Sequence, residues 1–222
     1  MTAMPPWSFS SLTSFETCPK RYYHLKCVKD VTEVPNEATT WGTTVHKHLE
    51  DRVALGTPLP QAIAGYESFV AKIAAHPGEK LVEQQMAITA DFKPTGWTSE
   101  TAWCRGIVDV GLLTGKRALL LDWKTGKRKP DSSQLQLFAG LAFVHFPNVE
   151  VVATAFVWLK EGKTDKASFK RQDAPVIWQE FVPRVRRMER AYEENKFPPK
   201  PSGLCGKWCP VPKRLCSFSG KT

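Results

Sequence analysis

An α/β fold is predicted, with a helical front, a central sheet and a small C-terminal appendage, and three features of the sequence predict it. Apolar residues recur at helical spacing before Pro77-Gly78. After it they fall into short β-branched and aliphatic runs, and beyond Lys196 the chain becomes a Pro-, Gly- and Lys-rich tail. With 222 residues and 42% hydrophobic content there is enough for one large domain plus an appendage, and wholesale disorder is excluded.

Ser8, Ser10 or Ser11 can cap a first helix carrying Leu12 and Phe15, which Pro19 interrupts ahead of Tyr22, Tyr23 and Leu25. Residues 28–40 are polar and read as loop. Trp41, Val45, Leu49 and Val53 recur every four residues, one buried face of a second helix, with His46 and Glu50 on a neighbouring face. A third helix follows Pro58-Leu59-Pro60, with Ile63, Tyr66, Phe69, Val70 and Ile73 inward. Residues 81–90, 102–113 and 117–123 read as strands, 133–144 as a helix, 150–159 as a strand and 166–171 as a short edge strand. A long helix over 175–195 opens at its proline and turns Ile177, Phe181, Val185, Met188 and Tyr192 inward, with a kink or restart expected at Pro183. The expected division is therefore a main domain, 1–195, and a tail segment, 196–222.

Net charge is +9, from 31 Lys+Arg against 22 Asp+Glu, and it is uneven. Residues 184–222 hold ten basic against three acidic side chains, and 116–129 hold six basic against Asp122 alone. Clusters of this kind suit a polyanion, nucleic acid being the commonest, although a solvated basic surface has the same composition. No stretch approaches the ~20 apolar residues of a membrane helix. The opening MTAMPPWSFSS has neither a basic n-region nor an apolar h-region, so a cytoplasmic location is expected (the host cytoplasm for a phage-encoded chain).

The chemistry concentrates in two strands. If residues 111–116 turn a hairpin, Arg105-Gly106-Ile107-Val108-Asp109 and Leu121-Asp122-Trp123-Lys124 become antiparallel neighbours and Asp109 meets Asp122. Two adjacent carboxylates repel unless protonated or bridged by a cation, and hard divalent ions prefer such oxygens. Lys124 shares a strand face with Asp122, where an ammonium can orient a water or stabilise charge on a phosphate oxygen. A surface ion pair at a strand end is the bland reading of the same residues.

The order of neighbours adds to this. Gly42-x-x-x-His46-x-x-Leu49-Glu50, Gly106-x-x-Asp109, Asp122-Trp123-Lys124-Thr125-Gly126 and Gln134-Leu135-x-x-Phe138 together resemble the PD-(D/E)XK nuclease superfamily, in the branch of RecB and AddB nuclease domains and small CRISPR-associated and phage relatives. Ser8-x-Ser10-x-x-x-x-Phe15-x-x-Cys18-Pro19-x-x-Tyr22 resembles that branch's N-terminal entry.

The resemblance implies a restriction-endonuclease-like core, a mixed sheet flanked by helices. It implies that Asp109, Asp122, His46 and the backbone carbonyl of Trp123 hold Mg²⁺ or Mn²⁺, that Lys124 is the catalytic lysine, and that Gln134 touches DNA or orients Lys124. Many relatives carry tyrosine where this chain has Phe138, so a hydroxyl contact is lost there. Glu83 is a candidate outer carboxylate, with a solvent-facing strand residue as its other reading.

Cys205, Cys209 and Cys216 cluster in the basic tail, whereas Cys18, Cys27 and Cys104 are scattered, and a cytoplasmic disulfide framework is not expected. Three thiolates ask for a fourth ligand, and spacing alone leaves zinc and iron–sulfur both open. The resemblance supplies Cys18 and implies a 4Fe-4S cluster stapling the two ends of the chain, zinc being the other occupant. Cys27 and Cys104 read as ordinary buried cysteines, and Trp208 as a shield for the cluster or a base-stacking side chain.

The function expected is a metal-dependent DNA nuclease, an exonuclease on single strands or DNA ends. Arg105, Lys127, Arg128 and Lys129 would grip the backbone, and Tyr22 and Tyr23 would stack on bases or pack in the core. Expected partners are DNA and proteins of recombination, repair or replication, in an oligomer or a monomer. The alternative is a non-hydrolytic nucleic-acid-binding module with a structural or redox metal cluster. The sequence leaves strand polarity and pathway open.

Overall fold

The computed structural model describes residues 4–128 and 131–220. In chain order the elements are α1 (Phe9–Thr17), α2 (Pro19–Tyr22), α3 (Glu37–Leu55), α4 (Glu67–Ala74), β1 (Glu79–Ile88), β2 (Pro94–Thr95), β3 (Cys104–Thr114), β4 (Arg117–Lys124), α5 (Ser133–His145), β5 (Val151–Trp158), β6 (Lys163–Lys170), α6 (Ala174–Glu193) and α7 (Leu204–Lys207). They divide into two compact units. One is Asn36–Gln179 and the other joins the chain up to Pro35 with the chain from Glu180. Among the described residues no helix is long and apolar enough to cross a membrane.

Asn36–Gln179 is built on a mixed six-stranded sheet of order β2-β1-β3-β4-β5-β6. Only β4 and β5 run parallel, because α5 carries the chain across from one to the other. One face of the sheet packs Val110, Leu112, Leu121, Trp123, Ala155 and Val157 against Val45, Leu49 and Val53 of α3 and Val70 and Ile73 of α4. On the other face α5 buries eight of its residues, from Leu135 through Phe143, so it is apolar nearly all round. Gly140 lets Ile177 and Trp178 of α6 come close, for a Cβ there would stand 3.0 Å from the Trp178 ring.

The α/β architecture expected from the sequence is the one found, with shifts at several edges. Asn36 accepts from the Thr39 amide at 2.9 Å and starts α3 inside the stretch read as loop. The core stripe of α3 begins at Val45; Trp41, expected inward, is 46% exposed because the helix reaches past the covered face at that end. The stretch after Pro60 is a 3₁₀ turn (Gln61–Tyr66) leading into α4, and Phe69, expected inward, is 39% exposed while its ring meets Trp123 edge-on. Pro183 lies within a continuous α6 rather than restarting it, at the cost of one hydrogen bond to the Gln179 carbonyl.

β6 ends at Lys170, and Arg171 leaves the edge to work on α5. Its guanidinium donates to the carbonyls of Phe143 (2.8 Å), Phe146 (2.6 Å) and Val149 (2.8 Å from Nε), and lies over the Phe143 ring. These carbonyls lie at and beyond the end of a buried helix, where the helical ladder supplies no donors, and Phe146 O accepts from the Val149 N–H as well.

The other unit knits the two ends of the chain together. Ser8 and Ser11 cap α1 reciprocally, Pro19 opens α2, and a π-helical turn runs over Tyr23–Val28. Trp7 stacks on Phe181, Glu16 takes a fork from Arg184 at 2.9 and 2.7 Å, and Lys20 N–H donates to Pro198 O. Tyr22 is buried, with its hydroxyl 2.9 Å from that of Tyr192, and Tyr23 packs on Phe197, so both serve the core. The Tyr192 hydroxyl is also 3.1 Å from Cys27 Sγ, and burial pushes that thiol up. Cys104, in the sheet unit, is fully buried and its thiol is pushed well up.

Candidate active site

β3 and β4 form the expected hairpin, turning at Gly115 with φ 55°. Their ladder runs from Thr114–Arg117 to Val110–Leu121 and stops. The next position would set Asp109 opposite Asp122. There Asp109 Oδ2 instead accepts the Trp123 backbone N–H at 2.6 Å. On the other side, β1 pairs Val82 with Val110 and Gln84 with Val108, so Glu83 stands opposite Asp109, with a φ of 48°.

A non-glycine residue in that left-handed region costs on the order of 1 kcal/mol. The distortion accompanies a change of face in β3. Val110 packs on the α3–α4 side, yet a Cβ on Gly106, of the same parity, would meet Leu141 and Phe138 of α5. Three carboxylates, Glu83, Asp109 and Asp122, therefore share one row across three strands at the point where regular pleating breaks.

Side chains from two helices close on this row. His46 of α3 has Nδ1 at 3.6 Å from Asp109 Oδ1. From α5, Gln134 Nε2 donates to Asp122 Oδ1 at 3.1 Å, and its Oε1 accepts from Lys124 Nζ at 3.0 Å. Lys124 Nζ is 2.6 Å from Asp122 Oδ2 and lies over the Phe156 ring, 4.7 Å from its centre. Gln134 thus holds both charged groups in register. Phe138 is buried beside Gly106.

The spacing Gly42-x-x-x-His46 has a steric reason. Gly42 lies one helical turn before His46, and a Cβ there would stand 3.0 Å from Thr125 Oγ1, in the turn after β4. The bare backbone lets the end of β4 lie against α3. Gly42→Val should displace that turn and lower any activity of this site about 10- to 100-fold at unchanged secondary structure, since shifts near 1 Å in a reacting geometry cost that much. Adding Thr125→Ala, which removes the clashing oxygen, should restore most of it in the same rate assay.

Electrostatics in the row are strained. Burial and the Asp109 charge raise the Asp122 carboxyl from 3.8 to about 6, against the opposing pull of Lys124. Burial raises Glu83 too, helped by Asp109 and Glu50. Burial disfavours the His46 imidazolium, but the Asp109 carboxylate outweighs it and the group titrates above its ordinary value. Such a set has more negative charge than its own cations compensate.

Among the basic residues expected to flank the site, Arg128 is held by the Asp165 carboxylate, which also accepts from the Trp158 indole, so its charge is already matched. Arg105 lies 5.3 Å from the Trp97 ring centre. Lys129 falls outside the described residues. Phe156 is a neighbour that the sequence did not single out, and Thr125 stands in the Asp122–Gly126 motif with no role assigned to it there. Phe156 was hidden in an ordinary apolar strand, and Thr125 has a part only because Gly42 faces it.

In the other unit, Cys18, Cys205, Cys209 and Cys216 line one small cavity. Lys200 N–H points at Cys18 Sγ and Ser202 N–H at Cys205 Sγ, each at 3.4 Å. Gly220 closes the tail over Gly206 so tightly that a Cβ would stand 2.2 Å from the Gly206 carbonyl oxygen. Among the described residues no group of three or more His, Cys, Asp or Glu side chains is arranged to hold a metal ion as it stands, at either place.

A family model described as the PD-(D/E)XK nuclease superfamily matches residues 6–217. No curated protein matches the chain. Among solved structures, the crystal structure of SSO0001 is similar over 94% of this chain and 85% of its own, at 12% identity and a TM-score of 0.44. A putative exonuclease from Eubacterium rectale is similar over 90% and 85%, at 14% identity and a TM-score of 0.48.

Proposed function

The chain belongs to the PD-(D/E)XK nuclease superfamily, and from that premise we propose that it is a Mg²⁺- or Mn²⁺-dependent deoxyribonuclease, an exonuclease acting on single strands or DNA ends. The observation that carries the reading is the meeting of Asp109, Asp122, Lys124 and His46 within hydrogen-bonding or ion-pair distances at a break in the sheet. Carboxylate oxygens with one imidazole fit a small hard cation, and the buried Asp122, whose carboxyl stays raised despite its pair with Lys124, fits a site that gains a further cation. Asp109, Asp122, His46 and the Trp123 carbonyl would hold it. Bound there, the ion supplies polarisation of the scissile phosphate and a more acidic water.

The chain's own residues do the rest. Lys124 presents a positive charge where the phosphate oxygens become more negative, and Gln134 and Phe156 fix its ammonium in place. Gln134 keeps Asp122 from rotating away. End-labelled linear single strands should be shortened progressively in Mg²⁺ or Mn²⁺ while a circular single strand persists. Lys124→Ala should slow the reaction about 10²- to 10⁴-fold. Rapid cutting of the circle would overturn exonuclease action, and undiminished cleavage by Lys124→Ala would overturn the site.

The four cysteines are read in the same way as ligands of a 4Fe-4S cluster, supported by their common cavity and by backbone N–H groups directed at two of the sulfurs. Anaerobically prepared protein should be brown, with broad absorbance near ~400 nm that Cys216→Ser removes. Colourless protein with stoichiometric zinc would contradict this and favour a tetrathiolate zinc site.

A further inference from the structure

The unit formed by the two ends of the chain carries an aromatic side chain that its own packing does not use. Trp7, Trp123, Trp158 and Trp178 are at most 7% exposed, whereas Trp208 is 72% exposed. It follows α7, with Leu204, itself half exposed, one turn before it. Both line a cleft of about 270 Å³ whose wall also holds Arg21 and Lys200, against one acid, Glu33. Glu33 pairs with Arg21 at the surface, a contact of little strength that an incoming anion can replace. Lys200 donates to the Glu16 carbonyl, a neutral partner, so its charge is not cancelled by that bond.

A second, wider cleft of about 590 Å³ also includes Lys200, and it adds Arg187, Arg190 and Lys196 against Glu16 and Glu194. Four basic groups against two acids leave an excess of two. Lys200 lines both clefts, so a single strand crossing it would have Trp208 in one cleft and Arg190 and Lys196 in the other along its path.

We propose that this path binds single-stranded nucleic acid, with one unpaired base stacked on Trp208 and the following phosphates lying along Lys200, Arg190 and Lys196. The occupant is chosen by chemistry. An indole face accepts any base, the basic groups suit a repeating phosphate, and a duplex keeps its bases stacked on each other and cannot offer one. The proposal rests on reading the chain as a nucleic-acid enzyme, but it needs neither the metal site nor cleavage.

The test is fluorescence anisotropy of a fluorescein-labelled oligo(dT), with the full-length protein in EDTA so that the probe stays intact. Trp208→Ala should raise Kd about 5- to 100-fold, the worth of one stacked base, and Trp208→Phe should stay within about threefold of wild type. The slope of log Kd against log salt should be unchanged in Trp208→Ala. It should shrink by about 0.7 in Lys200→Ala or Arg190→Ala, one phosphate contact each. Binding to a blunt duplex should be indifferent to Trp208.

Oligo(dT) should also quench tryptophan fluorescence in wild type and not in Trp208→Phe, a readout that survives if the alanine variant fails to fold. Wild-type affinity in Trp208→Ala, a phenylalanine variant as weak as the alanine one, or equal losses on oligo(dT) and duplex would each overturn the proposal. If the protein binds as described but cleaves nothing, the nuclease reading fails and this one stands.

Discussion

Asp122→Asn should abolish cleavage and at the same time make the metal-free protein more stable. Asp122 is buried, and burial together with the Asp109 charge raises its carboxyl to about 6 in the fold, above the ordinary 3.8. Raising an acid's folded value means that the ionised form opposes folding. That penalty is absent below the unfolded value, grows as pH rises from 3.8, and is complete above about 6. Asparagine keeps the shape and the contact with Gln134 and removes the charge. Lys124 loses an ion partner but keeps its bond to Gln134 Oε1.

In EDTA at neutral pH the variant should therefore gain about 1–3 kcal/mol by chemical denaturation, and the gain should vanish below about pH 4. Cleavage should fall by about 10³-fold or more, because the group lost would both bind the cation and face the reacting phosphate. Less stable Asp122→Asn protein at neutral pH would contradict the electrostatic description of the row.

The second large effect lies far from the chemistry. Arg171→Ala should destabilise the Asn36–Gln179 unit by about 2–4 kcal/mol, since it strips donors from the carbonyls of Phe143, Phe146 and Val149 at the end of a buried helix. Arg171→Lys should recover less than half of the loss, because one ammonium cannot reproduce a planar fork over three acceptors. Denaturant midpoints of the two variants measure this. Equal stability of wild type and Arg171→Ala would show that water replaces the guanidinium without penalty.

These two residues mark what the sequence discloses. The strands, α5 and the helical front are legible because their periodicity is driven by burial, which every apolar position reports. The juxtaposition of Asp109 and Asp122 is legible too, because a hairpin over a short turn admits few registers. Arg171 is not: it sits at the end of a predicted edge strand, and only the fold reveals that α5 ends beside it. Trp41 continues the spacing of Val45, Leu49 and Val53, yet the covering sheet stops short of it, and spacing carries no information about where a neighbour ends. Glu83 reads as a candidate outer carboxylate or a solvent-facing strand residue, and nothing in its spacing announces the left-handed backbone it adopts opposite Asp109. Arg128 reads as a free cation until β6 brings Asp165 alongside.

The central claim is that the row of carboxylates at the end of β3 and β4 is a divalent-cation-dependent phosphodiesterase centre. The most direct measurement is degradation of an end-labelled single strand by wild type and by Asp109→Asn/Asp122→Asn, each in Mg²⁺, Mn²⁺ and EDTA. Wild type should degrade the strand in either metal and leave it intact in EDTA, and the double variant, folded by circular dichroism, should leave it intact throughout. Degradation by the double variant at the wild-type rate, or by wild type undiminished in EDTA, would contradict the claim.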